Sequence, residues 1–186
     1  VGQKTRLWWV KIQCRLTQMQ ELLRNAPNGK HRLIYPDIAD LLIVLIDTGL
    51  RVSEALDSTY RNNINFTSNL LTVWKSKNDK ARSVPLTARA KGILEGRQIS
   101  NPERPFPYKL WQVENVWKWL RAMMHLEGDK EYVPHSLRHT CASRLVNAGV
   151  DLYVVKEWLG HSSIKVTERY AHLSPVKLVQ AVKALE

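Results

Sequence analysis

The chain has 186 residues, 44% of them hydrophobic, which is enough for one domain with a sizeable core and too few for two comfortable ones. Lys and Arg number 28 against 17 Asp and Glu, and the formal net charge of +11 favours a polyanionic partner such as nucleic acid, with a basic protein that lacks such a partner as the alternative. No run of 18 apolar residues is present, which excludes a membrane-spanning helix within this sequence.

The two cysteines, Cys14 and Cys141, form neither a disulfide framework nor a metal-ligand spacing. We expect them to be reduced and mostly buried thiols. No secretory signal is recognisable in the sequence. The composition therefore predicts a cytoplasmic protein, and it gives no reason to invoke a metal.

The first part of the chain predicts helices after an irregular start. Residues 1–15 have mixed charge and no clear period, which indicates a linker or an edge element. Thr17 begins a capping-box pattern and predicts a helix to about Asn25. Asp37 is placed to cap a strongly apolar helix that ends at Gly49, a natural left-handed C-cap. A second short helix follows and carries Val52, Ala55 and Leu56.

The middle of the chain changes to the two-residue period that is typical of strands. A small meander is predicted, with three short strands over 64–66, 70–74 and 82–86. The polar segment 76–80 forms the turn between the last two strands. Thr87 is then placed to cap a helix that runs to about Gly96.

The last part of the chain is predicted to be helical again. Apolar residues from Val113 to Met124 recur at the spacing of one helix face, which indicates a core-facing helix, with a groove for a partner as the alternative. The expected fold class is therefore mainly α with a small three-stranded antiparallel sheet. The remaining helices are predicted over 136–147, 151–159, 165–171 and from Ser174 to the end of the chain.

Side chains suited to phosphate chemistry occur at predicted helix ends and turns. Cleavage of a phosphodiester without a metal needs a nucleophile, cations around the non-bridging oxygens and an acid for the leaving oxygen. Each candidate is a weak signal alone, because a helical Tyr is usually a core ring and an Arg beside a helix end often caps carbonyls. His135 and Arg138 lie at the start of a predicted helix, where the free backbone N–H groups favour an anion. The candidates are Arg51, His135, Arg138, His161 and Tyr170.

Three separated motifs resemble those of the tyrosine site-specific recombinases, also called the phage integrase family. The stretch TGLRVSEAL at 48–56 resembles their first catalytic-arginine box. The stretch PHSLRHT at 134–140 resembles their HxLRH box. The stretch LGHS at 159–162, with Tyr170 nine residues after His161, resembles their LGH…Y box. The order and spacing also match, and the likeness covers residues 16–173.

This resemblance implies a role for each candidate. Arg51 and Arg138 would clamp the scissile phosphate, which suits guanidinium because it forms two parallel charged hydrogen bonds and keeps its proton. His135 and His161 would be further donors or proton carriers. Tyr170 would attack phosphorus and leave a 3′-phosphotyrosine, whose bond conserves the energy for rejoining. The implied activity is that of a site-specific DNA recombinase, the integrase of a phage or mobile element.

The family also implies a lysine on the predicted hairpin as the general acid for the 5′-oxygen. Lys77 matches the family spacing because it stands eight residues before Pro85. Lys75 and Lys80 lie close by and are the alternatives.

Two further residues are expected to support the site without touching the phosphate. Glu54 is expected to orient the catalytic cluster, and a surface ion pair with Arg51, three residues before it, is the alternative. His139 is expected to support the start of its helix rather than to contact phosphate.

The resemblance implies the DNA breaking-rejoining catalytic fold, with a linker or N-terminal extension at 1–15, a catalytic domain at 16–173 and a C-terminal helix at 174–186. Relatives usually carry a DNA-clamping domain before this region, so the chain resembles an excised catalytic half. In relatives the C-terminal segment often docks on a neighbouring protomer, and packing against its own domain is the alternative.

The implied partners are double-stranded DNA with recombination or attachment sites and accessory DNA-bending proteins. A homotetramer on DNA, a monomer when free and a cytoplasmic location in a bacterial host are expected, without a cofactor, a metal or a membrane. Two alternatives remain: a relaxase that resembles type IB topoisomerases, and a DNA-binding regulator without catalytic activity.

Overall fold

The computed structural model describes residues 15–26, 35–74 and 81–173. Within these residues the protein is mainly helical with one three-stranded antiparallel sheet, which confirms the predicted fold class. No helix in these ranges is long and apolar enough to cross a membrane. The helices are α1 (15–24), α2 (Tyr35–Thr48), α3 (Val52–Asp57), α4 (Tyr60–Asn63), α5 (Ala88–Ser100), α6 (Leu110–Met123), α7 (His135–Asn147), α8 (Leu152–Leu159) and α9 (Ile164–Glu168), followed by a 3₁₀ turn (Ala171–Leu173).

Helix α2 forms the centre of the larger apolar core. Every residue from Leu41 to Thr48 is buried, because apolar side chains occur on all sides of this helix rather than along one stripe. Helices α3, α5, α6 and α7 pack around it. The end of α2, and the loop that follows it, are therefore held at the middle of the domain.

The C-terminal end of α2 turns sharply at Gly49. This residue has a φ of +67°, a left-handed conformation that favours glycine, as predicted. A Cβ at this position would lie 2.7 Å from Cδ2 of Leu159 and 3.1 Å from Sγ of Cys141. Glycine therefore lets α7 and α8 approach the loop that leads into α3.

The last turn of α2 is tied to α5 and α7 through the carboxylate of Asp47. This side chain is 2% exposed and accepts hydrogen bonds from Thr87 at 2.8 Å, from Arg89 at 2.6 and 3.0 Å, and from Arg144 at 3.0 Å. Burial alone would raise the pKa of Asp47, but these hydrogen bonds outweigh it and lower the pKa. The network fixes where α2 ends.

The sheet has the strand order β1 (Ile64–Asn65), β2 (Leu70–Val73) and β3 (Arg82–Pro85), and both pairings are antiparallel. The three predicted strands are confirmed, although each is shorter than expected. In β3, Arg82 and Val84 are buried whereas Ser83 and Pro85 are exposed. One face of the sheet therefore packs against the core, and Arg82 belongs to that face.

A second, smaller apolar cluster joins α7, α8 and the segment after α9. Its buried members are Ala142, Val146, Val155, Leu159, Tyr170 and Leu173. The predicted helix over 165–171 is shorter than expected: α9 ends at Glu168, and Tyr170 lies in the turn before the 3₁₀ residues. The phenol ring of Tyr170 is thus fixed by packing rather than by a continuous helix.

Several predicted helix ends are confirmed. The predicted cap Thr87 accepts a hydrogen bond from the Ala90 amide at the start of α5. Asp151, the first residue of the predicted helix 151–159, directly precedes α8 and accepts a hydrogen bond from the Tyr153 amide. The predicted C-cap Gly160 has a φ of +66°. Thr87 and Asp151 therefore set the beginnings of α5 and α8, and the left-handed backbone of Gly160 sets the end of α8.

Other predicted ends are wrong. Residues 15 and 16 are already helical, so Thr17 does not cap α1. Asp37 lies inside α2, where its carboxylate accepts hydrogen bonds from Arg97 at 2.7 Å and from the Tyr108 hydroxyl. Helix α5 continues past Gly96 to Ser100, since this exposed glycine has no neighbouring atoms to interrupt the helix. The predicted segment 1–15, apart from residue 15, and the C-terminal helix 174–186 lie outside the described residues.

Candidate active site

Arg51 is the N-cap of α3 and follows the Gly49 turn directly. Its backbone is extended, with φ −70° and ψ 151°. Its amide donates to Oε2 of Glu54 at 2.8 Å, and its Nη1 donates to Oε1 at 2.7 Å. Glu54 therefore caps the helix and aims the guanidinium of Arg51, which is 27% exposed and can meet a ligand.

The predicted ion pair between Arg51 and Glu54 is present, but the carboxylate of Glu54 does not lie on the surface. Its side chain is 7% exposed and lies against a second guanidinium, that of Arg82. Arg82 donates Nη1 to Oε1 at 3.1 Å and Nη2 to Oε2 at 2.6 Å. Burial raises the pKa of Glu54, but the hydrogen bonds from Arg82 and Arg51 outweigh it and hold the pKa below its usual value.

Arg82 was not among the site residues predicted from the sequence. This side chain is 6% exposed, and its Nε also donates to the carbonyl of Trp158 at 3.1 Å. The indole of Trp158 in turn donates to the carbonyl of Thr48 at 2.8 Å. The alternation of β3 was the available signal, because a strand that buries Val84 also buries Arg82, and a buried arginine needs an acidic partner.

Arg138 lies on α7 and is the most deeply placed cation of the site, at 2% exposure. Its Nη1 donates to the carbonyl of Gly49 at 2.7 Å, and its Nη2 donates to the carbonyl of Leu159, at the ends of α2 and α8. Nη1 also lies 4.0 Å from Oε2 of Glu54. Burial, followed by the charge of Arg51, lowers the pKa of Arg138 to about 10, so the side chain remains charged at neutral pH.

The three arginines surround a single carboxylate. Arg51, Arg82 and Arg138 contribute three positive charges against one negative charge on Glu54, which leaves two positive charges in excess. Such an excess in a partly buried cluster attracts an anion more strongly than it would in open solvent. The arrangement suits one bound phosphate group.

Two imidazoles predicted for the site stand beside these arginines. His135 is the first residue of α7 and is exposed. Nδ1 of His161 pairs with the hydroxyl of Thr167 at 2.8 Å. Although His135 keeps part of its surface exposed, the partial burial of each ring, then the charges of Arg138 and Arg51, lower the pKa of His135 and bring that of His161 to about 4. Both rings are therefore neutral at pH 7 in this state.

The first turn of α7 differs from the prediction. The amides of Ser136 and Leu137 already donate to the carbonyls of Val133 and Pro134, at 2.9 and 3.2 Å. These two N–H groups are thus not available to an anion, so the positive charge of the site comes chiefly from its arginines.

Tyr170 is brought to the edge of the same cluster. Its side chain is 2% exposed, and its hydroxyl contacts Nδ1 of His139, a contact that the sequence analysis did not predict. Burial raises the pKa of Tyr170 to about 12, and the nearby charges of Arg169 and Arg138 act in the opposite direction. Glu168 and Arg169, which precede Tyr170 directly, are both exposed.

The structure does not describe every predicted site residue. Lys77, with its alternatives Lys75 and Lys80, lies outside the described residues. Strands β2 and β3, which lie on either side of these residues in the sequence, pair Val73 with Arg82, the arginine that binds Glu54. Across the ranges that the structure describes, no three His, Cys, Asp or Glu side chains are grouped as a metal site.

Comparison with known proteins gives one consistent result. The model of the phage integrase family matches residues 14–176. Tyrosine recombinase XerD of Lacticaseibacillus casei is 37% identical over 145 residues, which cover 71% of this chain and 49% of that protein. The chain spans about half the length of the curated relatives it matches.

Solved structures agree with the family match. The catalytic domain of bacteriophage HP1 integrase superposes with a TM-score of 0.69 and 29% identity, and the match covers 91% of this chain and 90% of that one. The XerH recombinase bound to its difH substrate gives a TM-score of 0.69 at 22% identity over 92% of this chain and 52% of that one, a likeness of fold. The chain therefore belongs to the phage integrase family and has the fold of a tyrosine recombinase catalytic domain.

Proposed function

We propose that this chain is the catalytic domain of a site-specific DNA recombinase that cleaves and rejoins strands through Tyr170. The observation that carries the proposal is the convergence of Arg51 and Arg138 on Glu54, with two imidazoles and the phenol at the same place. The similar XerH was solved with its difH substrate, which supports DNA as the ligand.

The cationic cluster binds the scissile phosphate. Arg51 is oriented by Glu54 and reaches solvent, so it meets the phosphate first. Arg138 supplies a second positive charge from a buried position, although its Nη1 and Nη2 already donate to the carbonyls of Gly49 and Leu159. A neutral imidazole carries one N–H donor, so His135 and His161 bind the non-bridging oxygens without adding charge.

The chemical step is a transesterification. The proton of the Tyr170 hydroxyl passes to a neutral imidazole of the site, His135 or His161, which are the proton carriers of this proposal. Oη then bonds to phosphorus, while the bond from phosphorus to the 5′-oxygen breaks. The leaving oxygen takes a proton, which Lys77 supplies in this proposal. Since one ester replaces another, the reverse attack by a 5′-hydroxyl restores the DNA without an added energy source.

The proposed partners are those that the family resemblance implies. Duplex DNA with a recombination site is the substrate, a homotetramer forms on it, and accessory DNA-bending proteins assist. The likeness to the HP1 integrase favours integration of a phage or mobile element, and the likeness to XerD makes recombination of the host chromosome the second candidate. Activity on phage-type attachment sites rather than on a chromosomal site distinguishes the two.

The nucleophile is tested by trapping on nicked duplexes of randomised sequence, in which the short strand released by cleavage diffuses away. The wild-type chain should form a covalent protein–DNA adduct, and mapping should place it on Tyr170. Tyr170→Phe should form none because it lacks the attacking oxygen. Tyr153→Phe is the matched control, since Tyr153 is 66% exposed on α8 and should leave the yield unchanged.

Two results would contradict the proposal. An adduct that persists in Tyr170→Phe would assign the nucleophile elsewhere. A wild-type chain that binds DNA in a salt-dependent manner and never forms an adduct would favour the non-catalytic regulator.

A further inference from the structure

The hydroxyl of Tyr170 has a specific partner in the second turn of α7. It contacts Nδ1 of His139, and the two ring centroids are 6.0 Å apart with an interplanar angle of 46°. A phenol that is 2% exposed cannot exchange this partner freely for water. Loss of the contact would leave a buried hydroxyl unsatisfied, which is costly.

His139 also contacts His135, an imidazole of the candidate active site. Its ring packs edge-on against that of His135, with centroids 4.8 Å apart and an interplanar angle of 89°. Because the charges of Arg138 and Arg51 act on His135, the imidazole of His139 links the phenol to a ring within the electrostatic reach of the cationic cluster. Packing of the Tyr170 ring in the second apolar cluster fixes the ring, and His139 fixes the direction of the hydroxyl.

The protonation states of the two rings limit the possible forms of this contact. Burial, and then the neighbouring His135 and Arg169, lower the pKa of His139 to about 3, whereas burial raises that of Tyr170 to about 12. Both groups are therefore neutral at pH 7, and the phenol donates its hydrogen bond to Nδ1 when that nitrogen is unprotonated. A neutral imidazole with an unprotonated Nδ1 carries its hydrogen on Nε2.

We propose that His139 is a positioning residue for the nucleophile, whose Nδ1 holds the hydroxyl of Tyr170 so that its oxygen lone pairs are turned toward the phosphate site. The inference rests on the proposed function of Tyr170, and it adds a role that the cationic residues do not perform. It assigns His139 no proton transfer, because an acceptor this weakly basic binds a phenol proton without taking it.

A spectroscopic test addresses the contact without requiring activity. In ¹⁵N-histidine spectra of the full chain at pH 7, His139 should be the Nε2–H tautomer. Tyr170→Phe should shift its Nδ1 resonance toward that of a free pyridine-type nitrogen. The signals of His172, an exposed histidine two residues after the nucleophile, should stay in place. A protonated Nδ1, or no shift in Tyr170→Phe, would overturn the proposal.

A kinetic test addresses the consequence, on a duplex recovered from the trapping experiment. His139→Leu should lower the first-order cleavage constant at saturating DNA by about tenfold, the equivalent of one hydrogen bond, and leave the half-saturating DNA concentration unchanged. His139→Asn should restore most of the rate, because its amide oxygen can occupy the place of Nδ1. His172→Leu, the matched control, should behave as the wild type.

The outcomes separate the two proposals. Wild-type cleavage with an unchanged rate in His139→Leu would overturn only the role of His139. An Asn variant as slow as the Leu variant would also overturn it, because the imidazole would then act as a base. A wild-type chain without any adduct would overturn the proposed function and, with it, the positioning role.

Discussion

Replacing Arg82 with leucine tests whether the buried Arg82–Glu54 pair holds the site together. The two side chains are 6% and 7% exposed, so solvent barely screens their attraction. The substitution removes two hydrogen bonds to Glu54 and one to the carbonyl of Trp158. Loss of one member of a buried pair costs about 3–5 kcal/mol. Because Arg51 still donates two hydrogen bonds to Glu54, we expect a decrease of about 3 kcal/mol in the free energy of unfolding.

The measurement is urea unfolding followed by circular dichroism, with the midpoint shifted and the m-value unchanged. Arg61→Leu is the matched control: this arginine is exposed on α4, and its loss should change stability by about 0.5 kcal/mol or less. The double variant Arg82→Leu/Glu54→Gln should lose less than the sum of the single variants, because a neutral amide leaves no uncompensated charge. A decrease of less than about 1 kcal/mol in the free energy of unfolding of Arg82→Leu would contradict the prediction, because the Arg82–Glu54 pair would then contribute little to stability.

Two further predictions concern the Gly49 turn and the buried imidazoles. Gly49→Ala should lower the free energy of unfolding by at least about 1 kcal/mol, because the residue has a φ of +67° and its Cβ would lie 2.7 Å from Leu159. In thermal unfolding, the exposed helical control Gly96→Ala should be neutral or stabilising, and equal behaviour of the two would contradict the prediction. The pKa values of His139 and His161, about 3 and about 4, lie below the usual 6.5, so the unfolded chain binds more protons below pH 6.5. The free energy of unfolding should therefore fall as the pH drops from 7.5 to 5.5, and identical urea midpoints at both values would contradict this.

The sequence predicted the features that depend on local patterns. The helical period of α6, the cap Thr87 and the left-handed Gly49 are all present in the structure. Each depends on neighbouring residues only, and a single sequence contains that information. The three family motifs were recognisable for the same reason.

Features that depend on distant partners were missed. Asp37 has the composition of an N-cap, yet Arg97 and Tyr108 bind its carboxylate from other parts of the chain. The contact of His139 with Tyr170 requires α7 and the turn after α9 to meet, across 31 positions of the sequence. No local pattern encodes such pairings.

The hydrogen bonds of Arg138 have a consequence for when the protein can first act on DNA. This arginine joins the carbonyls of Gly49 and Leu159, which are more than a hundred positions apart in the chain, and it is itself part of the proposed catalytic cluster. A newly made or partly unfolded molecule has not yet brought these helix ends together, so it lacks a working centre. Under the proposed function, we therefore expect strand cleavage to begin only once the tertiary structure is complete.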